Sequence, residues 1–345
     1  MPERLVFTHL EPAPHPTRVW PVFLPFAGCP YRCVFCAQDK QTGQDGAELE
    51  KILHALEHDL DEALANGKGP YELAFYGGTF TALPEPWPQM FLGLAMRYRE
   101  RGLVTHVRCS TRPDCVDDFS LSMLRAQGLD MVELGIQSFD DDALKTSGRG
   151  YDGDTARQAC DMVKRAGLGL GVQLLPGLPG DRPGIFAKDV QVAADMEPET
   201  ARLYPCLVIK GTPLARLWER GEYEPWSVEQ AREELAAALP VLWEKNVRVI
   251  RLGLAPEGTL QENILAGPWH PALGQSARGL ALFNMVLEQA ETLGAASIRI
   301  DVPRRYQGEF FGHGNELYKP YMAIGLDKIH VRYVDGGEFV LTAMA

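Results

Sequence analysis

Short apolar runs alternate with amphipathic helical stretches over the first 210 residues of this 345-residue chain. The apolar runs predict six strands, over residues 19–27, 71–77, 104–110, 130–136, 168–175 and 201–209. The stretches between them predict helices near residues 47–65, 86–101, 118–127, 154–167 and 185–196. This alternation is typical of parallel strands with helices outside them, in a barrel or in an open doubly wound sheet. In both folds the chemistry takes place at the carboxyl ends of the strands.

The pattern changes near residue 225, where strand–helix alternation gives way to a less regular order of elements. A helix is predicted near 227–245 and a strand near 247–253, followed by a loop rich in Gly and Pro. A further helix near 276–293 precedes strand-like runs that begin at about residue 296. We therefore predict two domains, a larger α/β domain over residues 1–225 and a smaller α+β region over residues 226–345.

Composition and charge exclude several classes of protein. The formal net charge of −12 argues against a general nucleic-acid binder, which relies on a basic surface. No run of about 18 apolar residues predicts a membrane span, and the N-terminus lacks the basic head and apolar core of a secretory signal. Seven cysteines are an odd number and too few for a disulfide scaffold. We expect a cytoplasmic protein.

Three cysteines fall within eight residues, at Cys29, Cys33 and Cys36, directly after the first predicted strand. A structural zinc site normally uses four ligands in two pairs, and Cys109 and Cys115, six residues apart, make a poor second pair. A cluster of four irons, in contrast, can be held by three thiolates when one iron stays open for another ligand. A zinc knuckle and a chance grouping are the alternatives.

The spacing of these cysteines, with the aromatic Phe35 before the last one, resembles the signature of radical S-adenosylmethionine (SAM) enzymes. The resemblance implies a partial (β/α)6 TIM-like barrel, one [4Fe-4S] cluster on Cys29, Cys33 and Cys36, and SAM bound to the open iron. In this family one electron from the cluster cleaves SAM to a 5′-deoxyadenosyl radical, which abstracts a hydrogen atom from the substrate. The cofactor supplies the difficult chemistry and the protein positions it. An electron donor such as flavodoxin or ferredoxin is the partner that this chemistry implies.

Motifs after the second and third strands extend the resemblance. Gly77 and Gly78, in "FYGGTF", resemble the family's glycine-rich motif, whose backbone binds the amino group of SAM. Thr79 replaces the usual acidic residue, as it does in the tetrapyrrole-oxidase branch. Arg112, in "STRPD" after the third strand, is predicted either to face the SAM site or to cap a loop.

Motifs after the fourth and fifth strands point to the same site. Gln137 and Arg149 are twelve residues apart, as in oxygen-independent coproporphyrinogen oxidase, and the resemblance places both at SAM, with Arg149 on the methionine carboxylate. A guanidinium suits a carboxylate because it donates two parallel hydrogen bonds. Gln173 falls where relatives carry a polar residue near the adenosine. Without the family, Arg149 would be interpreted as a solvated surface residue.

Residues 203–227 resemble one branch in particular, the catalytic subunit of Elongator, which modifies the wobble uridine of tRNA. That subunit also carries an acetyltransferase domain. No acetyltransferase-like segment is evident here, since roughly 120 residues after the barrel are too few for one. The resemblance is therefore to the radical SAM domain alone.

The sequence leaves the substrate open among three hypotheses. The first is RNA, and Arg304, Arg305 and neighbouring aromatic residues form either a stacking surface for nucleic acid or a half-buried sheet. The second is a small molecule such as a tetrapyrrole, which suits the acidic composition better. The third is a non-catalytic relative that binds haem or a protein partner. Cys206 is a candidate for core packing, hydrogen donation or a second cluster, but the lack of CxxC pairs predicts a single cluster.

Overall fold

The computed structural model describes residues 3–13, 17–30, 32–38, 48–254 and 258–344. The strands are β1 (Arg4–Thr8), β2 (Arg18–Phe23), β3 (Tyr71–Tyr76), β4 (Val104–Thr111), β5 (Met131–Gln137), β6 (Gly169–Leu174), β7 (Thr200–Leu203), β8 (Val208–Ile209), β9 (Arg248–Leu252), β10 (Ile264–Ala266), β11 (Ile298–Pro303), β12 (Val331–Val334) and β13 (Glu338–Ala343). The α-helices are α1 (Leu49–Ala65), α2 (Trp87–Glu100), α3 (Asp118–Ala126), α4 (Asp141–Thr146), α5 (Gly153–Arg165), α6 (Ile185–Asp195), α7 (Pro213–Glu219), α8 (Val228–Glu244), α9 (Gly258–Gln261), α10 (Leu273–Leu293) and α11 (Tyr318–Ala323).

Seven parallel strands form a curled half-barrel in the order β2-β3-β4-β5-β6-β7-β9. The strands follow one another in chain order without a reversal, which is the winding of a barrel and not of a doubly wound sheet. The prediction of a partial TIM-like barrel is therefore confirmed. Strands β2 and β9 stand at the two edges of the described sheet, so the barrel is incomplete.

The strand predicted over residues 201–209 is wrong in its length. The backbone leaves the sheet at Tyr204 and Pro205, and the segment divides into β7 and β8. Pro205 has no N–H to donate to a neighbouring strand, which favours this break. Strand β8 pairs antiparallel with β10 instead, outside the half-barrel.

Helices cover the outer face of the half-barrel and bury one large hydrophobic core. Leu53, Leu56 and Leu60 of α1 are buried at helical spacing, as the sequence predicted. Local sequence also sets the helix ends. In α3, for example, the Asp117 side chain accepts hydrogen bonds from the backbone N–H groups of Phe119 and Ser120, at 2.9 and 2.8 Å.

The C-terminal region forms a second core around a four-stranded sheet in the order β1-β13-β11-β12. Helix α10 packs on this sheet, and the N-terminal strand β1 joins it by pairing with β13. Tyr306, Phe310 and Tyr321 are buried in this core, so the nucleic-acid stacking surface considered for them is wrong. These rings are buried because they fill the space between α10 and the sheet.

The packing of the two cores bears on where the domains divide. Helix α8 and strand β9, which lie after residue 225, pack with the half-barrel core. The division into residues 1–225 and 226–345 stays a prediction, and this packing favours a boundary nearer to α10. Within the described ranges, no helix has both the length and the apolar character required to cross a bilayer.

A buried carboxylate joins α6 to the loop after β5. Asp189 accepts hydrogen bonds from the Ser138 hydroxyl at 2.6 Å and from the Phe139 backbone N–H at 2.8 Å. Burial nonetheless raises the pKa of the Asp189 carboxyl to about 6, because the charged form loses its hydration. Between about pH 4 and pH 6 the folded chain therefore binds a proton that the unfolded chain has released.

We expect this group to make the fold less stable as pH rises from about 4 to about 6, because the native state holds more protons there. The substitution Asp189→Asn should remove this dependence, which is on the order of 2 kcal/mol. Urea unfolding at about pH 4 and about pH 6 gives the change in the free energy of unfolding with pH. The prediction is tested by comparing this change between the variant and the original chain. Asp195→Asn, at an exposed position of the same helix, is the control, and an equal effect of both substitutions contradicts the prediction.

Candidate functional site

A cavity of about 470 Å³ opens at the carboxyl ends of the half-barrel strands. It is the size of a typical small-molecule site. It brings together residues predicted from six separate segments of the sequence. Those that line it are Cys29, Cys33, Phe35, Cys36, Gly77, Gly78, Arg112, Gln137, Arg149 and Gln173.

The three cysteines lie on the loop that follows β2, and each has a different environment. Cys33 is buried, and its sulfur contacts the guanidinium groups of Arg149 at 3.0 Å and Arg112 at 3.5 Å. Two guanidiniums thus face this one sulfur. Cys29 instead lies 3.4 Å from the hydroxyl of Thr79.

Cys36 is held as a neutral thiol by its surroundings in the absence of a cation. Burial, together with the neighbouring sulfurs of Cys33 and Cys29, raises the pKa of the Cys36 thiol to about 12. The Gln38 backbone N–H and the Arg149 guanidinium lower this pKa only in part, so a bound positive centre at this position would favour the thiolate. A metal-bound thiol is deprotonated outright.

The three sulfurs fit an iron–sulfur cluster better than a single metal ion. Among the described residues, no group of three His, Cys, Asp or Glu side chains converges closely enough to hold one ion. In a four-iron cluster each thiolate binds a different iron, so the sulfurs lie around one cavity without meeting at a point. The three thiols of the cysteine loop, as the donor set of such a cluster, also leave one iron for another ligand.

The two glycines let the loop after β3 pack tightly against the cysteine loop. A Cβ atom on Gly78 would lie 2.2 Å from the carbonyl oxygen of Ala27, so no side chain fits there. The Gly78 N–H donates to the Gln38 side-chain oxygen at 3.0 Å, and Thr79 N–H donates to the Ala27 carbonyl at 2.7 Å. Thr79 itself is buried behind the cavity wall, at the Cys29 sulfur.

Arg112 and Arg149 are both buried, which excludes the solvated-surface interpretation of Arg149. Asp114 holds Arg112 by two hydrogen bonds of 2.8 and 2.9 Å. Arg149 donates to the hydroxyl of Tyr151 at 3.0 Å and to the carbonyl of Gly135. Both guanidiniums are thus fixed in orientation, with one edge at the Cys33 sulfur.

The two glutamines lie on neighbouring strands at the floor of the cavity. Gln137 ends β5 with a φ of 73°, at a point where the pairing with β6 shifts in register. This strained backbone turns Gln137 toward the cavity. Gln173 donates to the Ser110 hydroxyl at 3.2 Å and to Glu133 at 3.3 Å.

Sequence reasoning missed a network of charged residues inside the half-barrel. Glu133 is buried and pairs with Arg202 at 2.6 Å and Arg108 at 3.1 Å, and Arg108 also lies 3.3 Å from Glu72. Arg202 further donates to the hydroxyl of Tyr76. The sequence signal was clearest at Glu133, the one charged residue in the largely apolar strand β5, because a buried charge needs a partner.

Two residues after β7 complete the cavity wall and differ in their other contacts. Tyr204 and Cys206 line it, and the Tyr204 hydroxyl accepts a hydrogen bond of 3.0 Å from Arg202. Burial raises the pKa of the Cys206 thiol to about 12, and its side chain packs with Leu178, Val208 and Leu214, which agrees with a core role.

Two family models match the chain over most of its length. The model described as the radical SAM superfamily matches residues 23–191, and the radical SAM C-terminal domain matches residues 198–279. The first model spans the three cysteines and every other residue predicted at the site. The second continues through α8 and β9 into α10.

Relatives of known name match part of the chain. A tRNA uridine(34) acetyltransferase of Methanocaldococcus infernus is 27% identical over 266 residues, which are 65% of this chain and 50% of that protein. Human Elongator complex protein 3 is 28% identical over 224 residues, 58% of this chain and 39% of that protein. The chain thus matches half or less of the length of these relatives.

A solved structure shares the fold. The structure of Elp3 from the archaeon Methanocaldococcus infernus, with an N-terminal deletion, has a TM-score of 0.58 and 22% identity to this chain. The match covers 81% of this chain and 64% of that one. The matching models, the half-barrel and the cysteine cavity agree, and the chain belongs to the radical SAM superfamily.

Proposed function

We propose that this enzyme holds one [4Fe-4S] cluster on Cys29, Cys33 and Cys36, cleaves SAM reductively and abstracts hydrogen from an RNA substrate. The observation that carries the proposal is the meeting of three thiols and the Arg149 guanidinium in one cavity. When bound, the cluster would pass on an electron that it receives from a flavodoxin- or ferredoxin-type donor, and SAM would supply the carbon radical that abstracts hydrogen. Membership of the family favours this activity over a non-catalytic haem- or partner-binding protein.

The chain's own residues bind and orient the reactants. Arg149 offers a bidentate donor to the methionine carboxylate of SAM, as in the relatives it resembles. Gly77 and Gly78 bring their backbone to the cavity edge, where it can meet the SAM amino group. Gln137 and Gln173 present amide groups at the floor for the adenosine part of SAM. Phe35 supplies an apolar wall that limits water.

Two observations support RNA as the substrate. The named relatives include tRNA uridine(34) acetyltransferases, so enzymes with a similar radical SAM region are named for a tRNA base. The cavity is also lined by the aromatic rings of the half-exposed Phe23 and of Phe26. The guanidinium carbon of Arg32 lies 3.7 Å from the centre of the Phe26 ring. Aromatic rings beside a cation are typical of sites that stack an unpaired base.

A tetrapyrrole is the second candidate substrate. The net charge of −12 disfavours binding of a large polyanion, and Thr79 is the residue that the tetrapyrrole-oxidase branch carries in the glycine motif. The two candidates differ in what they require at the rim, because a nucleic acid needs cations for its phosphates.

The ligand role of the cysteines is tested by anaerobic reconstitution with iron and sulfide. We expect about four irons and four sulfides per chain, and release of 5′-deoxyadenosine from SAM on reduction. Each of Cys29→Ala, Cys33→Ala and Cys36→Ala should abolish both, because the remaining two thiolates cannot hold the cluster. Cys160→Ala, in the core face of α5, is the control and should keep both. Zinc in place of iron in the purified, oxygen-protected protein would refute the proposal.

The role of Arg149 is tested by SAM affinity in the reconstituted protein. Arg149→Lys should weaken SAM binding by about 10- to 100-fold, because a lysine loses the bidentate contact with the carboxylate. Equilibrium dialysis with labelled SAM measures the affinity, after iron content has been matched between variants. Arg157→Lys, at a partly exposed position on α5, serves as the control. Unchanged affinity in Arg149→Lys would assign the SAM carboxylate to another residue.

The RNA substrate is tested by gel-shift binding of tRNA at about 50 mM salt. We expect a shift that Arg32→Gln weakens, since this cation lies at the cavity rim, and that Arg165→Gln on the outer surface of α5 leaves unchanged. If tRNA gives no gel shift and the absorbance of porphyrin changes on mixing with the protein, the substrate is a tetrapyrrole and not RNA. That outcome would leave the cluster and SAM proposals intact.

A further inference from the structure

A second cavity, of about 610 Å³, occupies the opposite end of the half-barrel lumen. Its walls come from the amino-terminal ends of the parallel strands, including Val19 of β2 and Thr200 of β7. Glu11 of the N-terminal segment and Tyr306 and Glu309 of the C-terminal unit form the side of the cavity that faces away from the sheet. The volume lies in the range of small-molecule sites. None of the described residues of the cysteine loop lines this cavity.

Arginine dominates the polar lining of this amino-end cavity. Six guanidiniums come from five different elements of the fold, namely Arg108, Arg202, Arg248, Arg251, Arg278 and Arg305. Four carboxylates also line it, from Glu11, Glu72, Glu199 and Glu309. Burial raises the pKa of the Glu309 carboxyl, while the nearby guanidiniums of Arg278 and Arg305 lower it in part.

The six arginines divide into two groups by their partners. Arg108 and Arg202 belong to the buried network around Glu133, and Arg278 pairs with Glu11 and donates to the Val249 carbonyl at 2.7 Å. These three already have carboxylate partners within hydrogen-bond distance. They form the fixed back wall and side of the cavity.

Arg248, Arg251 and Arg305 form the second group, and no described carboxylate lies within hydrogen-bond distance of any of them. The nearest acid to Arg248 is Glu199, at 3.9 Å. Arg251 donates to the Gly253 carbonyl at 3.3 Å, and Arg305 donates to the Tyr306 hydroxyl. Each guanidinium has five N–H donors in a planar fork that matches phosphate and carboxylate oxygens.

We propose that the amino-end cavity binds a small organic oxyanion, a phosphate ester or a carboxylate, through Arg248, Arg251 and Arg305. Guanidiniums from two positions of β9 and from the C-terminal unit line the same cavity there. The proposal does not depend on the substrate of the radical reaction. Tyr76, Arg202 and Arg251 line both cavities, so a bound oxyanion contacts side chains that also form the wall of the cysteine cavity.

The experiment is calorimetric titration of the cluster-reconstituted protein at about 50 mM salt, with inorganic phosphate and with succinate as probes. We expect saturable binding of one anion per chain, below about 10 mM, that persists when SAM is saturating. Tighter binding of phosphate assigns a phosphate ester, and tighter binding of succinate assigns a carboxylate. Arg248→Gln and Arg305→Gln should each weaken the binding about tenfold.

The control variant is Arg304→Gln. Arg304 neighbours Arg305 in the chain and is exposed as Arg305 is, but it pairs with Asp335 and does not line the cavity. The two test positions lie on different elements, so failure of one variant to fold leaves the other as the test. Three results overturn the proposal: no saturable binding of either probe, displacement of the probe by SAM, or equal weakening in Arg304→Gln.

Discussion

The carboxylate of Glu133 sits in the middle of the half-barrel with 1% of its side chain exposed, between the guanidiniums of Arg108 and Arg202. Removing one member of such a buried set costs about 3–5 kcal/mol, because an uncompensated charge is left behind. The network fills the lumen at mid-height and fixes β4, β5 and β7 relative to one another. Glu133 also accepts a hydrogen bond from Gln173, and Arg202 donates one to the Tyr76 hydroxyl. The network therefore contacts residues that line the cavities at both ends of the lumen.

Because this network crosses the lumen, the half-barrel has two cavities with different chemistry. The carboxyl end collects thiols, glycines and two arginines fixed by Asp114 and Tyr151. The amino end collects arginines and is closed by the C-terminal unit, which β1 ties back to the start of the chain. The C-terminal unit thus contributes to a cavity wall, a role that its own sequence pattern did not indicate.

The cysteine loop illustrates how much of the site could be predicted from sequence. The spacing of Cys29, Cys33 and Cys36 is a local property, and it led directly to the family. The partners of these residues could not be found in the same way. Gln38 joins the cysteine loop to Gly78 across 40 residues, and Arg149 reaches Cys33 across 116 residues. Such contacts depend on which loops the parallel sheet brings to one edge.

The sequence by itself determined the parallel strand–helix alternation and predicted three cysteine ligands at the carboxyl end of the strands, because periodicity and residue spacing are carried by neighbouring residues. Tertiary structure decided that β9 joins the sheet as a seventh strand, that the aromatic residues near Tyr306 are core, and that Glu133, Arg108 and Arg202 meet in the lumen. The physical reason is that burial and charge pairing depend on the distances between segments remote in the chain, which only the closed packing of the sheet and its helices sets.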